Sequence, residues 1–236
     1  MKVIISQPRY LPFLPYLQRL KQADLFVFLD DVQRQGRGFE NRNRILNRGK
    51  PIWLTIPISS SAREKICSTK ISNTSWIAEH LNKISTYYAK HPFYDSQICN
   101  TLYADLPLYH GTMDYVSNIL KIIMNTTKLF NFTPNYILAS SLDIDHTLTG
   151  PKHLVDILRA VNADTYISGP NGKNYNIEQE LNGEFKIYYN HPYSYPYNQP
   201  MNPSFIPYLA FIDEIFCCGI ESVRNKIFSE LKITRA

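Results

Sequence analysis

With 236 residues, 44% of them hydrophobic and 19% charged, the chain has the makeup of a globular protein with room for a sizeable core, which excludes a disordered or fibrous chain. A net charge of +5 suits an anionic substrate or a nucleic acid and does not by itself choose between them. The apolar run that opens the sequence is too short for a secretory signal, and no window approaches the roughly eighteen apolar residues of a membrane span.

Cys67, Cys99, Cys217 and Cys218 show neither C-x-x-C spacing nor a disulfide-dense layout, so reduced thiols and a cytoplasmic location are expected. The 17 Tyr and 12 Phe exceed the needs of a core this size, which assigns many tyrosines to a polar surface or cleft.

Residues 3–6 read as a buried first strand ended by Gln7-Pro8. A loop punctuated by Pro8, Pro12 and Pro15 leads to a helix over 16–23 and a second strand over 25–29, a β-loop-α-β unit. The Gly49 turn between residues 41–47 and 52–57 predicts a β-hairpin. From 75 to about 130 the pattern is helical, with Ser75 as N-cap and further helices near 94–103 and 112–128, forming a helical insertion. A second α/β portion follows: strand from 136, helix over 152–162, strand over 165–168, a short segment near 178, strand over 185–189, then helices over 206–217 and 222–231. No linker composition divides the chain, so residues 1–236 are expected to form a single α/β domain.

Ligands of open parallel sheets bind beyond the carboxyl ends of the strands. The first such place is residues 7–16, where Gln7, Arg9, Tyr10 and Tyr16 are candidate binding residues beside a helix N-terminus. An equally good reading has the prolines fixing the loop while Tyr10 packs beneath it. The loop holds no glycine, so it is neither a P-loop nor a dinucleotide fingerprint. Asp30 and Asp31 end the second strand, as a general base or as turn and cap residues. Arg34, Arg37, Arg42, Arg44, Arg48 and Lys50 are opposed only by Glu40. Strand alternation places Asn41 and Asn43 on one face and Arg42 and Arg44 on the other, where guanidinia suit a nucleotide or sugar phosphate better than nucleic acid. Ser168 and Gly169, with Tyr175 beyond them, occupy the corresponding end of a later strand. Asp143, Asp145 and His146 form the one polar cluster with ligand chemistry, and capping explains it better than a metal.

Gln7-Pro8-Arg9-Tyr10-Leu11-Pro12, Ala23-Asp24-Leu25-Phe26-Val27-Phe28-Leu29-Asp30-Asp31, Asn41-Arg42-Asn43-Arg44-Ile45, Trp53-Leu54-Thr55-Ile56-Pro57 and Ala163-Asp164-Thr165-Tyr166-Ile167-Ser168-Gly169-Pro170 resemble successive motifs of WbqC-like proteins, as do His191-Pro192, Gln199 and residues 205–213. Phe13 and Pro15 stand where that family usually has tryptophan and glycine. The resemblance implies a role in bacterial O-antigen and other surface-polysaccharide synthesis, as a transferase joining an amino acid such as glycine to a nucleotide-linked amino sugar. The opening strand, loop and helix are also similar to the Rossmann-like domain of nucleotidylyltransferases, without their H-x-G-H element, since the first histidine is His80.

On that reading Asp30, Asp31 or His191 takes the proton of the attacking amine, Arg9, Arg42 and Arg44 hold phosphate, and Gln7, Tyr10 and Asn43 orient the reactants. Tyr16, Asn41, Ser168, Gly169 and Tyr175 complete the substrate-binding set. ATP with magnesium, or an aminoacyl carrier such as aminoacyl-tRNA, would activate the acyl group. A nucleotidylyltransferase and a non-catalytic sugar-nucleotide-binding protein are the alternatives.

Overall fold

The computed structural model describes residues 1–36, 38–59, 63–106, 113–175, 177–181, 183–200, 202 and 204–236. In chain order the elements are β1 (Lys2–Ser6), α1 (Leu14–Gln22), β2 (Leu25–Phe28), β3 (Arg42–Asn47), β4 (Lys50–Thr55), β5 (Lys70–Ile71), α2 (Ser75–Tyr88), α3 (Ser96–Leu102), β6 (Met113–Asp114) and α4 (Tyr115–Leu129). There follow β7 (Tyr136–Leu138), α5 (Gly150–Ala160), β8 (Thr165–Ser168), α6 (Ile177–Leu181), β9 (Lys186–Asn190), α7 (Phe211–Cys218), α8 (Ile220–Phe228) and β10 (Ile233–Arg235).

The central sheet runs β10-β9-β8-β1-β2-β7, parallel throughout except for the antiparallel edge strand β10. Side-chain alternation divides its strands between two cores. Ile4, Phe26 and Phe28 join Leu17 and Leu20 of α1 on one face, while Val3, Ile5 and Val27 join Ile157 and Leu158 of α5 on the other. Burial on both faces explains why these strands read as continuous apolar runs, and the result is a Rossmann-like α/β fold.

The insertion enlarges the first core. Trp76, Ile84, Tyr88, Leu102, Tyr115, Ile119 and Ile123 belong to the same apolar cluster as Ile4 and Phe28. Ser75 is the first residue of α2 rather than its cap, and its amide is satisfied by Asn73 Oδ1 at 3.1 Å. Asp95 and Asp114 cap α3 and α4 through the amides of Gln97 and Ser117. Helix 206–217 begins later than the periodicity suggests, because Tyr208 adopts a positive φ of 59° and only from Phe211 is the chain helical. No helix among the described residues is long and apolar enough to cross a membrane.

The hairpin β3–β4 is clamped to the turn after β1. Tyr10 N donates to Glu40 O at 2.9 Å, Asn43 Nδ2 donates to Leu11 O at 2.5 Å, and Ala210 N donates to Arg44 O at 2.8 Å. Tyr10 itself points into the insertion, edge-on to Trp76, with its hydroxyl 2.7 Å from His80 Nδ1 and 2.5 Å from the Tyr103 hydroxyl. Burial, assisted by the charge of Lys83, pushes His80 down from 6.5 to about 4.

A histidine harder to protonate when folded makes the unfolded chain the better proton acceptor between these two values, so its contribution is present above pH 6.5 and is lost as pH falls toward 4. The slope is about 1.4 kcal/mol per pH unit at most. Buried carboxylates that are raised in the fold, among them Asp30 and Asp213, slope the other way. The expected outcome is therefore differential: urea midpoints from pH 7 to 4.5 fall more steeply for the wild type than for His80→Gln.

Candidate functional site

From β1 the chain lays β2 and then β7 outward on one side; α5 then carries it back across the sheet to place β8 on the other side of β1. The strand order reverses between β1 and β8, and their carboxyl ends diverge into a crevice. A cleft of about 470 Å³ lies there. Ile5, Ser6, Ser168 and Gly169 form its floor, and Phe13, Tyr16, Phe39 and Tyr208 contribute aromatic walls. Arg9, Arg19 and Arg44 enter it from the turn, from α1 and from the hairpin. No aspartate, glutamate or histidine is found among the described residues that line it.

Each arginine is held differently. Arg9 places its guanidinium carbon 5.7 to 5.9 Å from the ring centres of Phe13, Tyr16 and Phe39, a cation–π cage that fixes its direction. Glu40, outside the lining, is raised by burial and drawn partly down by Arg9 and Arg34. Arg44 donates from Nη2 to Pro207 O at 3.5 Å and stands over Trp53, with its Nε buried and without a partner. Arg19 is 9% exposed, donates weakly from Nη2 to Ile5 O at 3.4 Å, and likewise has a buried Nε with no partner. Tyr16 is buried between two cations: burial pushes its phenol up, and Arg9 and Arg19 oppose that.

Of the residues expected from the sequence, Arg9, Tyr16, Arg44, Ser168 and Gly169 meet in this cleft. Gln7 does not line it; its carbonyl accepts from the Tyr16 hydroxyl at 3.0 Å. Tyr10 is fully buried in the insertion core, as the packing reading of the turn has it, while Arg9 from the same turn lines the cleft. The hairpin alternates as its sequence predicts, yet Asn41 and Asn43 spend their amides on Ile56 O and Leu11 O and are scaffold rather than ligand groups. Arg42 lies 4.3 Å over the Trp53 ring, outside the cleft lining.

The three groups expected to accept a proton are elsewhere. Asp30 is fixed by the amide and hydroxyl of Ser140, at 2.9 and 2.6 Å. Asp31 is 5% exposed and shared by His146 Nδ1 at 2.7 Å and His153 Nε2 at 3.0 Å. His191 turns to the sheet edge, with Nε2 2.8 Å from Thr234 Oγ1. Asp145 caps its own loop through Thr147. The Tyr175 side chain and Arg37 lie outside the described residues. Arg19 was legible only as one position of an amphipathic helix; its signal was the i, i+3 spacing from Tyr16, which puts both on one face.

Gly172 lines the cleft behind Ser168, and a β-carbon on it would meet Ser168 Oγ at 2.0 Å and Tyr189 Cε1 at 3.2 Å. Gly172→Ala is expected to displace Ser168 from the floor at a cost of about 1–3 kcal/mol, read by urea denaturation. Ser168→Ala in the same chain removes the worst clash and recovers part of that loss, a non-additivity measurable in a double-mutant cycle.

Comparison with known proteins gives the chain its relatives. The uncharacterized protein Rv1507c of Mycobacterium tuberculosis is 26% identical over 193 residues, covering 79% of each chain. No solved structure matches. The model of the WbqC-like protein family matches residues 7–225, from the turn that carries Arg9 into the last helix, and the chain belongs to that family.

Proposed function

We propose that the cleft binds a nucleotide-linked amino sugar through its phosphates, and that the protein transfers an aminoacyl group, of glycyl type, to the sugar amine during synthesis of a bacterial surface polysaccharide such as O-antigen. The observation that carries this reading is the convergence of three guanidinia without a lining carboxylate at the switch point of the sheet. Aromatic walls suit a base or a sugar ring, as in most small-molecule sites. The wider role rests on the family resemblance.

In the reaction the amine nitrogen forms a bond to the acyl carbon, the activated carbon–oxygen bond breaks, and the carrier oxygen leaves with the electron pair. The amine must be neutral to attack. With Asp30, Asp31 and His191 engaged away from the cleft, the departing oxygen or solvent takes the proton, and the protein contributes by holding the acceptor in place. The donor set bears on activation as well. Arginines suit the phosphates of ATP, but the described lining residues offer magnesium no carboxylate, so a pre-activated carrier such as aminoacyl-tRNA fits them better.

That no carboxylate or histidine is found among the described lining residues also favours a second reading, a non-catalytic protein that presents the sugar nucleotide to a partner enzyme. One assay separates them. The protein is incubated with a nucleotide amino sugar and candidate amino acids, with ATP or with charged tRNA, and the products are read by mass spectrometry. Acylated sugar is expected, with kcat/KM lowered at least about tenfold by Arg44→Ala and much less by Arg42→Ala. Sugar-nucleotide binding without product across that panel selects the second reading.

A further inference from the structure

Arg19 is the part of the cleft that the sequence motifs leave unexplained. It sits on the buried face of α1, nine-tenths covered, with Nε lacking any partner and Nη2 reaching only the end of β1. A β-carbon on Gly169 would lie 3.8 Å from Nη1 and 4.0 Å from Nη2, so the guanidinium lies directly against the backbone where β8 leaves the sheet. No salt bridge reaches it among the described residues. Desolvation of an uncompensated cation is unfavourable, and a guanidinium does not relieve it by losing its proton near neutral pH. Burial does lower its proton affinity, and the charge of Arg9 acts in the same sense.

Three cations on different elements therefore line one crevice: Arg19 on α1, lying against Gly169 at the end of β8, Arg9 on the turn after β1, and Arg44 on the hairpin. Three guanidinia carry more N–H donors than the oxygens of one phosphoryl group can accept. We propose that Arg19 is a phosphate-binding residue that makes the cleft selective for a diphosphate over a monophosphate, one phosphoryl group seated against Arg19 and Gly169 and the other between Arg9 and Arg44. This rests on the reading of the cleft as a nucleotide-sugar site, and specifies it as a site for a sugar joined to a nucleoside diphosphate. It holds whether or not acyl transfer follows.

The test is titration calorimetry of the full chain at fixed ionic strength with inorganic phosphate, inorganic pyrophosphate, and the mono- and diphosphates of uridine, thymidine and adenosine. The wild type is expected to bind pyrophosphate at least about tenfold tighter than phosphate, and each nucleoside diphosphate tighter than its monophosphate. Arg19→Met is expected to bring the pyrophosphate-to-phosphate ratio close to one while leaving the melting temperature of the free protein unchanged or higher, because a buried charge is replaced by an apolar chain of similar length. A lower melting temperature with an unchanged ratio makes Arg19 structural and overturns the proposal, as does a wild type that binds pyrophosphate no better than phosphate. Should Arg19→Met fail to fold, Arg19→Lys keeps the charge without the fork: a ratio reduced at least about threefold supports the proposal, and an unchanged ratio overturns it. Retained diphosphate selectivity in a protein that acylates no sugar would remove the transferase reading alone; acyl transfer with an Arg19-independent ratio would remove this inference alone.

Discussion

A parallel sheet that winds first one way and then the other must open where the direction changes, since the loops leaving the two central strands turn to opposite sides. Here that place is the boundary of β1 and β8, and the chain surrounds it with positive charge. The positions of Arg9, Arg19 and Arg44 all follow from elements gathered at this end of the sheet: the loop leaving β1, the helix after it, and a hairpin strapped to that loop. Without the reversal these groups would have no common cavity to share.

The strap depends on neutral polar contacts. Asn43, 1% exposed, donates to Leu11 O and accepts from Arg44 N, so one amide ties the proline turn to the hairpin and sets the backbone from which Arg44 projects. Leu11 adopts a positive φ of 39°, a strained conformation for a branched side chain, and the surrounding hydrogen bonds hold it there. Arg42 and Arg44, two residues apart on the same strand face, then share the Trp53 ring unequally, at 4.3 and 5.9 Å. The nearer cation is committed to the ring, whereas the farther one extends over the crevice. A two-residue repeat in the sequence thus produces two different roles.

Much of this was readable from residue order. Alternation in Asn41-Arg42-Asn43-Arg44 assigned the two faces of β3 correctly, and the apolar run of β1 marked a strand covered on both sides. What alternation could not assign was the partner of each polar group, because partners come from distant parts of the chain: Asn41 from Ile56, Tyr10 from His80 and Tyr103, Asp30 from Ser140. Arg19 was obscured for the opposite reason. Its neighbours have the periodicity of an ordinary amphipathic helix, and only the tertiary position of Gly169 reveals that its buried face meets a cavity. Edge strand β10 was likewise invisible: all three of its residues are exposed, so no apolar pattern marks it.

The carboxylates after β2 act at one remove from the cleft. Leu29 lines the cleft, and the two residues after it turn away from it. Asp30 binds the turn that follows β7, fixing the far side of the sheet. Asp31 holds His153 in the first turn of α5 and His146 in the loop before it, which pins the crossover responsible for the reversal. Leu154, next to His153, forms part of the cleft wall. Acidic residues at the carboxyl end of a strand are natural candidates for catalysis, but here both carboxylates are hydrogen-bonded by the scaffold. Removing either charge would loosen α5 or the turn after β7, and through them the wall of the crevice. The same arrangement turns both carboxylates away from the crevice, whose described lining carries three arginines and no acidic residue.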